Sequence, residues 1–296
     1  MNKVIVIADS TTDLSKELIE KYQIKIVPLH VSIPGDETDY LDGVNLDSLS
    51  IYEKVDKIGK TPKTGARNTS ELIEDFKPYI EQGYDIIFTG IGASMSSTYS
   101  NACLAAQEFP EGRIEIIDSQ NLSTGTGLLV LRMCELRDEG KNIHEIAEEI
   151  KKLIPLVSAK FCIDVLDYLY KGGRCSGMTK LFAQFLRIHP IAKVIDGKLT
   201  MYKLPRGKYK KAVDLQIEEF VEDFKANNIY TDHVFVTDSG RMDGESEYVV
   251  EELSKYIPKE AIHVTQAGCV VSSHCGPKTI GILYILKERK KNKKEN

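Results

Sequence analysis

The chain has 296 residues, 42% of them apolar and 28% charged, with a formal net charge of −5. That length exceeds what a single small core supports, so two domains or one large α/β domain are expected, and the apolar content excludes a mainly disordered chain. The acidic balance argues against a general nucleic-acid binder, although Lys287-Glu288-Arg289-Lys290-Lys291-Asn292-Lys293-Lys294 is locally basic and reads as a solvated terminus.

The segment Met1-Asn2-Lys3 leads directly into an apolar run with an acid at Asp9, and no stretch is long enough to span a bilayer, so a cytoplasmic location is expected. Val4–Ala8, Ile24–Val31, Asp85–Gly90 and Arg113–Ile117 read as strands with helical periodicity between them, which predicts a parallel sheet flanked by helices. Asn68-Thr69-Ser70-Glu71 is a capping box, so a helix begins just after Thr64-Gly65-Ala66-Arg67. From Ser123 to about Pro155 the pattern is helical, broken at Gly140-Lys141-Asn142, and this pair of helices is expected to bridge two halves of the molecule.

The second half differs in texture. Pro190–Ile195, Asp196-Gly197 and Lys198–Tyr202 form a hairpin signal, because Asp-Gly suits the type I′ turn that follows strand twist. A long helix from Tyr209 to about Asn227, a strand His233–Thr237, a helix Gly244–Tyr256 and strands Ala261–Gln266 and Ile280–Leu286 follow. The expected architecture is therefore α/β: an N-terminal Rossmann-like domain over 1–155, and a C-terminal α/β domain over 156–296 with a mixed or antiparallel sheet.

Several segments could carry chemistry. Gly90-Ile91-Gly92-Ala93-Ser94-Met95-Ser96-Ser97-Thr98-Tyr99 sets hydroxyls between a strand and a helix expected to begin near Ser97, where free N–H groups and side chains can hold an anion. The same turn could position a nucleophile, yet Gly92-Ala93-Ser94-Met95-Ser96 has only the first glycine of the serine-hydrolase elbow. Asp9-Ser10-Thr11-Thr12-Asp13-Leu14 reads as a capping turn. His274 stands out among six histidines because Val270-Val271-Ser272-Ser273-His274-Cys275-Gly276-Pro277 reads as a strand exit rich in hydroxyls. Tyr168-Leu169-Tyr170-Lys171-Gly172-Gly173-Arg174-Cys175-Ser176 reads as a glycine loop between two helical segments, and Arg174 there and Arg206 offer planar forks for an acidic group. The six cysteines lack any C-x-x-C pair and are expected to be reduced and mostly buried.

In order along the chain, Asp9-Ser10-Thr11-Thr12-Asp13-Leu14, Lys63-Thr64, Met95-Ser96-Ser97-Thr98-Tyr99 (where the family resembles L-S-G-T-Y), Lys171-Gly172-Gly173-Arg174 and His274-Cys275-Gly276-Pro277 resemble the DegV family. These are bacterial fatty-acid-binding proteins that serve as acyl-carrier subunits of a fatty acid kinase. The resemblance implies a lipid tunnel between the two domains, with Thr64, Ser96 and His274 holding the carboxylate at its mouth. Ser97 and Ser273 stand beside these positions as candidate head-group neighbours, and Arg67, where the chain departs from the family loop, adds a cation near the expected carboxylate. The resemblance places Arg174, Arg206 and Lys171 where a phosphoryl group or a partner would be met. No cofactor or metal is implied, and the chain lacks a G-x-x-x-x-G-K-[ST] loop, so phosphorylation would fall to an ATP-dependent kinase subunit. Peripheral membrane contact is expected only during lipid exchange. The family loop resembles T-S-Q-P-S, whereas this chain reads Thr64-Gly65-Ala66-Arg67-Asn68, which bears on the lipid chosen. Two other readings of the residues are a serine-dependent lipid or ester hydrolase, using Ser96 or Ser94 with His274, and a lipid-sensing regulatory module.

Overall fold

In a computed structural model, residues 3–176 and 188–289 are described, and three sheets carry the fold. The first is the expected parallel sheet. Strand β1 (Lys3–Asp9) pairs with β2 (Lys25–Val27) across the short helix α1 (Lys16–Lys21). The single strand expected over Ile24–Val31 is instead two. Pro28 has no N–H to give a ladder, and beyond it β3 (His30–Ser32) leaves for a three-stranded sheet with β4 (Tyr40–Leu41) and, after α2 (Ser48–Ile58), β5 (Lys63–Gly65). That departure sets Thr64 opposite Val31 in the register and brings the Thr64 loop to the site.

Helix α3 (Thr69–Glu81) opens on the capping box, with Asn68 accepting from Glu71 N and Glu71 from Asn68 N. Strand β6 (Tyr84–Gly90), helix α4 (Thr98–Ala106) and strand β7 (Ile114–Asp118) complete the sheet in the order β2-β1-β6-β7. Helix α5 (Thr124–Asp138) is apolar on nearly every side, as a helix buried all round must be, and α6 (Ile143–Leu153) follows a second capping box at Asn142. The expectation that both helices bridge the halves is corrected: α5 packs on β1 and β6 of the parallel sheet and on β8 (Val157–Cys162) and β14 (Ile280–Ile285) of the next, while α6 packs chiefly on α5 and on β6 and β7 of the parallel sheet.

The third sheet has seven strands. Helix α7 (Leu166–Gly172) leads into β9 (Cys175–Ser176), and the hairpin of β10 (Ile191–Ile195) and β11 (Lys198–Lys203) turns on Asp196 and Gly197, both at positive φ as a type I′ turn requires. The second helical segment expected after Ser176 lies outside the described residues. Helix α8 (Tyr209–Lys225), strand β12 (Val234–Asp238), helix α9 (Glu245–Leu253), strand β13 (Ile262–Gln266) and helix α10 (Cys269–Cys275) precede β14. The order β13-β12-β14-β8-β10-β11-β9 mixes parallel and antiparallel pairs. One apolar cluster runs from Val6 and Ala8 through α5 to Phe161 and Leu283, so the two large sheets share a core.

Helix α10 corrects a second expectation, since the Val270–Pro277 segment is not a strand exit. Its β-branched pair suggests extended chain, but two buried carboxylates fix the helix start: Asp13 accepts from Gly268 N (2.8 Å), and Asp42 from Cys269 N (2.6 Å) and Val270 N (3.4 Å).

Candidate functional site

A cavity of about 220 Å³ lies where the loop after β6, the β5 loop, α7 and α10 meet. Most of its wall is apolar, from Leu29, Ile91, Met95, Leu169, Val270 and Val271. A smaller apolar space shares Leu122, Leu169, Leu199, Val271 and Cys275 with it and continues to Phe161, Ile163 and Ala192, so the void runs inward over the mixed sheet.

The polar groups gather in the larger space. Thr64 reaches it from β5, Ser96 and Ser97 from the turn before α4, Arg174 from the loop after α7, and His274 from the last turn of α10. Thr64 Oγ1 lies 2.8 Å from His274 Nε2, although 210 residues separate them in sequence. His274 Nδ1 is buried with no hydrogen-bond partner among the described residues. Burial, and then the Arg174 charge, hold the imidazole down at about 4, so it is neutral near pH 7. Ser96 Oγ accepts from Thr98 N (3.2 Å) and pairs with Thr98 Oγ1 (3.0 Å), while Ser97 caps α4 without a side-chain bond. Arg174 is exposed and donates from Nη1 to Gly172 O (2.9 Å). Gly172 is required by packing, since a Cβ there would fall 2.5 Å from His274 Nδ1.

The remaining residues named from the sequence are placed elsewhere. Arg67 turns from the cavity to Asp75 (2.9 Å) and Glu71 (3.1 Å), so the loop contributes Gly65 and Ala66 to the wall and not the cation. Ser273 is buried and donates to Cys269 O (2.6 Å) within its own helix. Lys171, 4.0 Å from Asp167, and Arg206 are exposed and do not line the cavity.

Sequence reasoning missed the role of three buried acids. Asp9, assigned there to local capping, also accepts from Ile91 N (2.9 Å), and so pins the turn that carries Ser96; Asp13 takes Ser123 Oγ (2.5 Å), and Asp42 takes Ser10 Oγ (2.9 Å). Burial raises all three carboxyls, Asp9 to about 6 and Asp13 to about 8. The available signal was two acids flanking hydroxyls right after the first strand.

What the arrangement can do follows from these contacts. A neutral imidazole, hydroxyls and an apolar passage suit an acid with a long apolar tail. Acyl transfer is disfavoured: Ser94 Oγ donates to Gly197 O, Ser96 Oγ is paired with the Thr98 hydroxyl, and neither serine is hydrogen-bonded to His274. The Cys275 thiol is pushed up to about 12 by burial and stays protonated. Among the described residues no cluster of three or more His, Cys, Asp or Glu could hold a metal, and no helix is long and apolar enough to cross a membrane.

Residues 3–287 match the model of an uncharacterised protein family, DegV. A DegV domain-containing protein of Clostridium perfringens is 33% identical over 287 residues, covering 96% of this chain and 99% of the relative. Among solved structures, DegV, a fatty acid binding protein from Bacillus subtilis, superposes with a TM-score of 0.86 at 27% identity, over 97% of this chain and 100% of that one. A stearic acid-binding protein from Eubacterium ventriosum gives a TM-score of 0.82 at 27% identity, over 97% and 99%.

Proposed function

The chain belongs to the DegV family, and from that footing we propose that it binds one long-chain fatty acid, carboxylate at Thr64, Ser96 and His274, tail along the apolar passage toward Phe161. The observation that carries this reading is the convergence of Thr64, Ser96 and His274 on a cavity most of whose remaining wall is apolar. Burying a tail of about fourteen methylenes at about 0.8 kcal/mol each gives roughly 11 kcal/mol before the costs of association, enough for a ligand to persist through purification. With Thr64 Oγ1 accepting from His274 Nε2, the threonine proton is directed to the carboxylate, and Ser96 supplies a second donor.

On the same reading the acid is presented to an ATP-dependent kinase subunit. Its carboxylate oxygen takes the terminal phosphoryl group and ADP leaves, with Arg174 at the mouth next to the developing anion. The protein itself is then a carrier in the bacterial cytoplasm, divided near residue 155 with the lipid between 1–155 and 156–296.

Mass spectrometry of an organic extract from protein purified without detergent tests the binding. Stoichiometric fatty acid in the wild type, and loss in a Ser96→Ala, His274→Ala variant that keeps its unfolding midpoint, is expected. A wild type that never holds lipid, even after incubation, would sink the proposal.

A further inference from the structure

The inner space of the apolar passage has a floor whose side-chain sizes follow from strand register. Gly281 of β14 and Ala192 of β10 both stand opposite Phe161 of β8, and Met201 of β11 stands opposite Ala192. Directly opposed residues share a face, so four neighbouring strands present the row Gly281, Phe161, Ala192, Met201, in which small and large side chains alternate. That face is the one turned to the passage, since Phe161 and Ala192 line the space and Ile163, two residues beyond Phe161, lines it as strand periodicity requires.

The two small residues serve the large one differently. A Cβ on Gly281 would meet Phe161 Cδ1 at 2.7 Å, so the ring lies over the glycine. Ala192, wholly buried, offers the space a single methyl between two large neighbours, which leaves a slot above β10. Each hydroxyl at this end already has a protein partner. Thr237 Oγ1 is paired with Thr124 Oγ1 (2.6 Å) and Thr265 Oγ1 (3.0 Å), Ser239 donates to Gly276 O (2.6 Å), Thr279 to Cys275 O (3.0 Å) and Ser123 to Asp13 (2.5 Å). The Asp238 carboxylate takes Gly240 N (2.8 Å) and the Ser246 hydroxyl (2.7 Å).

We propose that this slot seats the methyl end of the fatty acid, and that Ala192 and Phe161 set the longest acid the protein retains. The inference rests on the fatty-acid reading above and adds to it where the tail stops. With the ring parked on Gly281, the last carbons lie over Ala192; a larger side chain there fills their place, and a smaller one at 161 extends it toward β14. A tail ending in a second carboxylate is rejected, because that charge would be buried among groups already bonded to one another.

Incubation of the full chain with an excess of an equimolar mixture of dodecanoic, tetradecanoic, hexadecanoic, octadecanoic and hexadecanedioic acids, then repurification and mass spectrometry of the extract, tests it. The wild type is expected to retain the monoacids and to disfavour the diacid against hexadecanoic acid by at least about tenfold. Ala192→Val should lower the ratio of the longest acid retained by the wild type to the next shorter one about tenfold, the loss of roughly two buried methylenes, and Phe161→Leu should raise it. Unfolding midpoints establish that both variants are folded, and shifts of opposite sign do not arise from a general loss of stability. An unchanged length profile in folded Ala192→Val, shifts of the same sign in the two variants, or a diacid retained as well as hexadecanoic acid overturns the proposal while the fatty-acid reading stands; a wild type that takes up no acid overturns both.

Discussion

Helix α10 has buried polar company at both ends, and the two ends are built to opposite rules. At its start, Asp13 and Asp42 accept from Gly268, Cys269 and Val270 N–H groups and from Ser123 and Ser10 hydroxyls. At its finish, half-buried His274 has Nε2 on Thr64 and a buried Nδ1 that finds no partner among the described residues. Buried polar groups that are satisfied by the protein hold structure, whereas hydroxyls and an imidazole that line a cavity keep hydrogen-bonding capacity for a ligand. The first end should therefore answer to tests of stability and the second to tests of binding.

The largest effect is expected from Asp13→Ala, which leaves the Gly268 N–H and Ser123 hydroxyl buried and unpaired and should lower stability by about 3 kcal/mol in urea unfolding. Asp13→Asn should cost under about 1 kcal/mol, because a carboxyl raised to about 8 is already neutral at pH 7 and an amide has the same shape. Equal losses in the two variants would break the distinction between the ends of the helix.

The same acids give stability a pH slope. Asp9 and Asp13 have folded values of about 6 and 8, above the ordinary 3.8, so the folded state holds their protons more tightly than the unfolded chain does. Their contribution is complete below about pH 4 and fades as pH rises through 6 and 8. His263 and His274, both held near 4, act in the opposite sense, and their contribution is lost only as pH falls from 6.5 toward 4. Between pH 6.5 and 9 the acids dominate, and the thermal midpoint should fall with rising pH, by the equivalent of a few kcal/mol at most. Asp13→Asn should flatten that slope; an unchanged slope would show that Asp13 is not its source.

At the other end, Gly172→Ala puts a methyl against His274 Nδ1 and should cost about 1 kcal/mol of stability while weakening fatty-acid retention about tenfold. The smallest effect is a titration: bound carboxylate should raise the His274 value above about 4 in an NMR pH series, since a nearby anion favours imidazolium. A value that stays put on lipid addition would place the head group elsewhere.

Local signals were legible where neighbours in sequence decide the outcome. The capping box at Asn68 and the Asp196-Gly197 turn stand where their residues required. They failed where distant groups intervene. Val270-Val271 suggests a strand, but Asp13 and Asp42, more than 220 residues away, hold the segment as a helix. Arg67 sits in the Thr64 loop and was expected near the head group, yet Asp75, eight residues on along the next helix, takes its guanidinium.

The sequence by itself determined the α/β alternation, the mixed second sheet and the hydroxyl turn before α4, because periodicity, caps and turn residues act within a few positions. Only the tertiary structure decided that Thr64 and His274 meet and that Arg67 does not join them. Burial and charge pairing between segments hundreds of residues apart are set by packing, and no local pattern encodes which buried atom is left without a partner.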